Sequence, residues 1–361
     1  MFKVFLLRVI RGFGVFKLLK PLNRNKLLIL CYHAYELKDE SQAFPKLFIK
    51  AETFQKRLTS LRKAGYNVLP LNTGVDLLKR NKLHGYNAVI TIDDGFHSVA
   101  DVGIPILNQF NMPATIYLTT YYQQKQTPIF SLAVQYMFWQ AGNRTPSLSE
   151  LEPYTQQLTH AEHLDRQQLM WALIELGEDH LSQQDREQLA QKIAKALAVD
   201  YETIAREKLF TVMNDQQIQS SFSPNIDIQL HTHRHQLPID QQLTTREILE
   251  NRYALEQLLP KTYDHFCYPS GFWHKQHWPW LRATNVQSAT TCEAGLNRPD
   301  TSLMALKRIL DGEYISQVEF EAELYGFGEL YRYFKRFVIK IKHYIKQVRH
   351  TEDSLHARRA K

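Results

Sequence analysis

Along this chain, apolar runs repeatedly break off at polar residues that can carry chemistry. Leu28-Ile29-Leu30-Cys31-Tyr32 stops at His33, Asn87-Ala88-Val89-Ile90-Thr91-Ile92 stops at Asp93-Asp94-Gly95, and Ile226-Asp227-Ile228-Gln229-Leu230 stops at His231. Short β-branched and aliphatic runs bounded by turn formers predict strands. A further strand-like run, Ile116-Tyr117-Leu118-Thr119-Thr120, leads into a different rhythm. From Leu132 to Trp139, Leu164 to Leu176 and Gln184 to Leu197, apolar positions recur at helical spacing. This predicts a helical insertion over about 121–222, packed over one rim of a strand-built body.

Acids and imidazoles at the carboxyl ends of strands are how parallel α/β proteins build active sites. An Asp-Asp-Gly alone reads as a turn, and a His-rich tripeptide alone as a polar surface cluster. Together, each after a strand, they read as a metal site. His231 and His235 can converge on one ion if the segment leaves its strand and turns helically, because positions i and i+4 share a face. Either Asp93 or Asp94 completes a two-His, one-carboxylate set with open positions, leaving the other carboxylate as a base toward water. Ligand type favours zinc, with iron, cobalt and manganese also compatible.

These residues resemble the polysaccharide deacetylases of the NodB-homology type, carbohydrate esterase family 4. The family's T-F-D-D-G motif reads here Thr91-Ile92-Asp93-Asp94-Gly95, and its H-[ST]-x-x-H motif reads His231-Thr232-His233-Arg234-His235. The resemblance implies that Asp94, His231 and His235 hold a divalent metal and that Asp93 is the catalytic base. Phe266-Cys267-Tyr268-Pro269-Ser270-Gly271 resembles the Y-P-x-G form of motif three, which makes the Ser270 amide the expected oxyanion donor. Leu28 to His33, Phe54 to Leu71, Ser288 to Thr291, Gly295-Leu296 and Leu306 to Ile309 resemble further strands and helices of the family, leaving 121–222 and both termini outside.

Two departures bear on mechanism. Where some members carry a base-orienting arginine in motif three, this chain has Cys267, and the L-x-H motif of the general acid becomes Leu306-Lys307-Arg308. The acid for the leaving amine is therefore sought elsewhere. His33 is the first substitute, because barrel strands end at one face; His265 and His233 follow as weaker ones. Arg308 does not titrate in this range and is expected to pair with an acid near the site or to touch substrate. Tyr268, Pro269 and Trp273 are expected to meet the sugar, the aromatic cluster Phe272-Trp273 lying directly after motif three. Tyr136, Met137, Trp139 and Trp171 read as the insertion's own core, with sugar or lipid contact as the alternative.

Composition refines this picture. A chain of 361 residues, 44% hydrophobic, can bury a barrel-sized core. Cys31, Cys267 and Cys292 show no zinc-like or redox-like spacing, so they read as reduced thiols. Residues 1–26 hold seven Lys/Arg and no acid, and 332–349 another seven without an acid, whereas 27–330 carries 27 basic against 35 acidic residues. The basic pI belongs to the ends. The amino end lacks a long apolar core and a cleavage site, so it predicts neither a signal peptide nor a transmembrane helix. Tyr331 to Val348 places Phe334, Phe337, Val338, Ile341, Tyr344, Ile345 and Val348 on one helical face. Basic amphipathic ends predict peripheral membrane contact, and no signature supports nucleic-acid binding.

The expected architecture is α/β: a distorted, incomplete (β/α) barrel over 27–325 with the helical insertion, a basic amphipathic arm over 1–26 and a basic tail over 326–361. The expected function is metal-dependent removal of an N-acetyl group from an amino sugar of an envelope polysaccharide, lipopolysaccharide or lipid-linked precursor, in the cytoplasm or at the inner face of the membrane. Sugar O-acetyl esterase, deformylase and a non-catalytic glycan-binding protein are the alternatives.

Overall fold

The computed structural model describes residues 2–158, 161–335 and 337–338. Among these described residues ten strands form in chain order: β1 (Leu27–Tyr32), β2 (Ala34–Tyr35), β3 (Phe48–Ile49), β4 (Asn67–Val68), β5 (Asn87–Ile92), β6 (Ala114–Leu118), β7 (Ile226–Leu230), β8 (His265–Cys267), β9 (Ser288–Ala294) and β10 (Leu306–Leu310). Seven of them close a parallel barrel in the order β1-β10-β9-β8-β7-β6-β5, sealed by the β1–β5 pairing. β5 is the crowded strand. One edge pairs along its length with β1, while the other is shared by β4 near its start and β6 near its end. β2 and β3 pair separately. The barrel expected from the sequence is thus present, with its incomplete strand set.

Strand side chains alternate between faces, and the two faces have separate cores here. Leu28, Leu30, Ile90, Ile116, Ile228 and Phe266 point outward into the large core shared with the surrounding helices. Leu27, Ile29, Val89, Tyr117, Cys267 and Leu306 point inward, and Leu71, Val75 and Leu78 of the helix Leu71–Lys79 join them. Continuing the inward column by steps of two leads from Leu27 and Ile29 to Cys31 and His33, from Val89 to Thr91 and Asp93, and from Leu306 to Arg308. The barrel is therefore apolar at the strand starts and polar at the strand ends.

Between β6 and β7 the chain is helical, with Phe130–Gln140, Arg166–Glu175 and Gln183–Leu197 as its longest pieces. Asp165 and Ser182 cap the latter two by accepting backbone N–H bonds. Tyr136 and Met137 are buried in the insertion's packing, while Trp139 and Trp171 remain 40% and 48% exposed. The amino arm forms helices Phe2–Gly12 and Val15–Leu19, docked through Leu7 and Phe16 onto Val318 and Ala322. Of the expected carboxyl-terminal apolar face, Phe334, Phe337 and Val338 are exposed, and Ile341, Tyr344, Ile345 and Val348 lie outside the described residues. Among the described residues, no helix is long and apolar enough to cross a membrane.

Candidate metal centre and its acid-base partners

At the end of β5 the chain turns sharply at Asp93-Asp94-Gly95. The Gly95 N–H reaches back to the Asp93 carbonyl at 2.8 Å, and Asp94 and Gly95 both adopt positive φ, 67° and 77°. A Cβ on Gly95 would sit 2.1 Å from Leu118 Cδ1, so glycine is needed for both conformation and space. This turn aims the two carboxylates differently. Asp93 drops into the barrel, and Asp94 faces the loop after β7.

Asp94 Oδ1 lies 3.1 Å from His231 Nε2 and 3.3 Å from His235 Nε2. Ligand atoms of the three residues all fall within 4.8 Å of one another. His231 Nδ1 donates to the Cys267 carbonyl at 2.9 Å, which fixes the ring and turns Nε2 toward Asp94. Two imidazole Nε2 atoms and a carboxylate oxygen aimed at one point fit a divalent ion of the zinc type. Burial opposes charge on Asp94, but the His231 hydrogen bond and the nearby His235 bring its pKa down to about 2.

The histidines do not converge through a helical turn, as their spacing suggested. Residues 231–236 form a bent loop in which Thr232 and His235 take positive φ, 63° and 57°. The bend is held from the helix Gln241–Leu258. Asn251 accepts the His231 N–H at 2.9 Å while donating to the Leu118 carbonyl and Thr120 Oγ1, both at 3.0 Å. The Glu247 carbonyl takes the His233 N–H, and its carboxylate takes the Arg234 N–H. With partners supplied from a neighbouring helix, the loop needs no i→i+4 bonds of its own. Sequence reading passed over Asn251 and Glu247; their signal was polar residues within the buried stripe Thr244, Glu247, Ile248, Asn251.

Asp93 is gripped by Arg308, with both carboxylate oxygens 2.7 Å from guanidinium nitrogens. The Arg308 side chain is fully buried, and it also donates to the Thr291 carbonyl and Thr91 Oγ1. The Cys31 and Cys267 thiols stand 3.5 and 3.3 Å from Asp93 Oδ2, and His33 Nε2 is 3.9 Å from the same atom. Burial opposes ionisation of Asp93, yet the Arg308 guanidinium outweighs it and holds the carboxyl well below the usual range. The guanidinium absent at Cys267 is therefore delivered from β10: Arg308 Nη2 lies 3.2 Å from Cys267 Sγ.

The other expected site residues divide by face. Tyr268, the neighbour of inward-pointing Cys267, points outward, is buried, and donates its hydroxyl to the Met304 carbonyl at 2.9 Å. Tyr268 is thus corrected from a substrate contact to a buried support, whereas Arg308 pairs with an acid at the site, the first of its two expectations, and is buried away from substrate. Pro269 is buried, whereas Ser270 is exposed with φ 54°. Trp273 is half-buried, stacked with Tyr268 and Trp278 at 6.1 and 5.6 Å, and lines an open groove with Glu293, Arg298 and Lys307. Phe272 beside it is 58% exposed. His265 sits at the start of β8, donating to or accepting from Ser288 Oγ at 2.8 Å, with burial pushing its pKa down to about 4. His233 is similarly engaged by Thr120 Oγ1. Neither shares His33's proximity to Asp93.

Comparison with known proteins bears on the fold. Residues 80–181 match the family model described as Polysaccharide deacetylase. The match contains Asp93 and Asp94 and runs into the insertion, which was expected to lie outside the resemblance; it stops before His231. No curated protein matches the sequence. Among solved structures, the chain is similar to the deacetylase PplD of Streptococcus pyogenes in complex with acetate, at 16% identity and TM-score 0.54, covering 81% of this chain and 96% of that one. IcaB of Ammonifex degensii is similar at 18% identity and TM-score 0.53, covering 83% and 97%. A de-N-acetylase of Aggregatibacter actinomycetemcomitans is similar at 14% identity and TM-score 0.52, covering 81% and 97%. The resemblance to the polysaccharide deacetylases, a family of carbohydrate-acting hydrolases, and the barrel it implied are both borne out.

Proposed function

We propose that this polysaccharide deacetylase relative removes the acetyl group from an amino sugar of an envelope polysaccharide, lipopolysaccharide or lipid-linked glycan precursor. The carrying observation is that Asp94, His231 and His235 aim at one point beside a second carboxylate, Asp93, that Arg308 keeps ionised. Asp94, His231 and His235 would hold a divalent ion, Zn²⁺ by their nitrogen-rich donor set, which would supply Lewis acidity and lower the pKa of water toward ~7. The four remaining roles fall to residues of the chain.

Asp93 accepts the proton as water adds to the acyl carbon. Its low pKa keeps it ionised, and the fork from Arg308 fixes its orientation. The Ser270 amide, in the turn that follows buried Pro269, is the donor proposed for the developing oxyanion. Breaking the C–N bond requires a proton on the amine nitrogen, and His33 is the residue proposed to give it, being 19% exposed and near Asp93. Trp273 and exposed Phe272 are the proposed sugar contacts. A cytoplasmic position at the inner membrane face, with a nascent or lipid-linked glycan as substrate, is the setting this reading favours.

Metal content, together with acetate release from N-acetylglucosamine oligosaccharides and lipid-linked sugars, tests the proposal. Near one ion per chain, with release abolished by His231→Ala and by Asp93→Asn while the latter keeps its metal, supports the hydrolase. An ion-free protein would sink the site. One observation favours a second reading: Arg308 occupies the place of the family's acid histidine, and an alkoxide leaves with less need of an acid. Metal without amide cleavage, but with release from O-acetyl or formyl sugars, would select that reading. Unchanged glycan affinity with no turnover before or after Asp93→Asn would mark a non-catalytic binding protein.

A further inference from the structure

The amino arm presents apolar side chains on two sides of one helix. Leu7 is buried against the body, with Val4 and Ile10 packed beside it, and Lys3 and Arg11 are tied to Glu319 and Glu321 at 2.8 and 2.7 Å. At 3.6 residues per turn the opposite face carries Phe2, Phe5, Leu6, Val9 and Phe13. These are 79, 64, 44, 38 and 82% exposed, and further along the arm Leu18 and Leu22 are 78 and 40% exposed. A helix that had only to pack on the barrel would turn polar residues outward. Isolated exposed apolar residues are ordinary, whereas a contiguous strip of this kind marks an interaction surface.

Charge identifies the occupant. Arg8, Lys17 and Arg24 are exposed on the same arm, form no ion pair among the described residues, and belong to a 26-residue stretch without an acid. On the docked side Phe16 packs against Tyr325 and Phe327, and the following helical residues 327–335 carry Tyr331, Tyr333 and Phe334, each more than half exposed. A second copy meeting this face symmetrically would set acid-free cationic segments against one another. An anionic bilayer offers both an apolar interior for the phenylalanines and negative headgroups for the bases.

We infer that the arm is a docking face for anionic membrane surfaces, lying in the interface with Phe2, Phe5 and Phe13 inserted and Arg8, Lys17 and Arg24 at headgroup level. This surface is separate from the metal centre, so its failure would leave the deacetylase reading standing. The test is co-sedimentation of the full chain with vesicles of phosphatidylcholine alone and of phosphatidylcholine mixed with phosphatidylglycerol. Binding to the mixed vesicles is expected to weaken at high salt and to fall at least about tenfold in Phe5→Ser/Phe13→Ser. Arg8→Gln/Lys17→Gln should lose about fivefold per charge, on the anionic vesicles alone. All four residues are exposed and lie outside the metal centre, so circular dichroism and soluble-substrate turnover should match wild type. Three results would overturn the inference: wild type left in the supernatant by both vesicles, binding indifferent to Phe5 and Phe13, or a wild-type dimer that Phe5→Ser/Phe13→Ser turns into a monomer.

Discussion

Replacing Arg308 with methionine isolates what the buried fork contributes. The substitution keeps an apolar stem but removes both 2.7 Å contacts to Asp93, along with bonds to the Thr291 carbonyl and Thr91 Oγ1. The Asp93 side chain is 4% exposed, so water cannot replace the guanidinium. Leaving one partner of a buried pair uncompensated typically costs ~3–5 kcal/mol. The variant can escape part of that cost by protonating Asp93, which would abolish the proposed base. In the wild type, Asp93's folded pKa lies below its unfolded value, so the pair's stabilisation is present above roughly pH 4 and lost as pH falls through the folded pKa. In Arg308→Met the folded pKa rises above the unfolded one, which reverses the sign. The stability gap between the two proteins should therefore be widest near neutral pH and narrow toward acid. Urea denaturation across pH measures that gap, and the acid limb of the pH–rate profile should move upward. A gap under ~1 kcal/mol at neutral pH, with the limb unmoved, would refute this account of Asp93.

Because Cys267 Sγ and Arg308 Nη2 approach the same Asp93 oxygen, the guanidinium can be moved between strands: Cys267→Arg/Arg308→His should be at least about tenfold more active than Arg308→His alone, measured as acetate release. Asn251→Ala releases the His231 backbone and should weaken metal affinity about 10–100-fold in chelator competition, with kcat at saturating metal changed far less. His33→Gln should lower kcat about 10²–10⁴-fold on an N-acetyl sugar and much less on an aryl acetate, whose leaving group needs no proton, while metal content stays constant.

Strand ends and the candidate metal trio were legible because both follow from local pattern. Apolar runs that stop at Asp93, His231 and His33 locate the polar end of a barrel without any knowledge of strand order. Period-two alternation would also have turned Tyr268 outward once Cys267 faced in, so its burial was readable and missed. Other features depend on distance in the chain. His231 and His235 meet through a bend fixed by Glu247 and Asn251, whose helix begins only after the loop has ended. The Arg308–Asp93 pair spans 215 residues, and nothing near either residue names the other. The cysteines had no meaningful spacing in sequence; strand order sets Cys31 and Cys267 on either side of one carboxylate.

That closure also bears on the missing acid. A barrel lets a functional group migrate between strands, because every inward column ends on the same rim and only the tip of the side chain must reach the target. Arg308 shows this for the base-orienting cation, which arrives from β10 although Cys267 on β8 stands at the same oxygen. Its arrival fills the column where the family's acid histidine would stand. On the proposed mechanism the acid would then come from a column that reaches the same space. β1 meets that requirement by position: it pairs with β5, which leads into Asp93, on one edge and with β10, which carries Arg308, on the other. His33 ends β1's inward series, its Nδ1 is buried without a hydrogen-bond partner, and its Nε2 faces Asp93. A transfer of the cation to β10 and of the acid to β1 accounts for both departures with one rearrangement, and it predicts that the swap at positions 267 and 308 should relieve the dependence on His33.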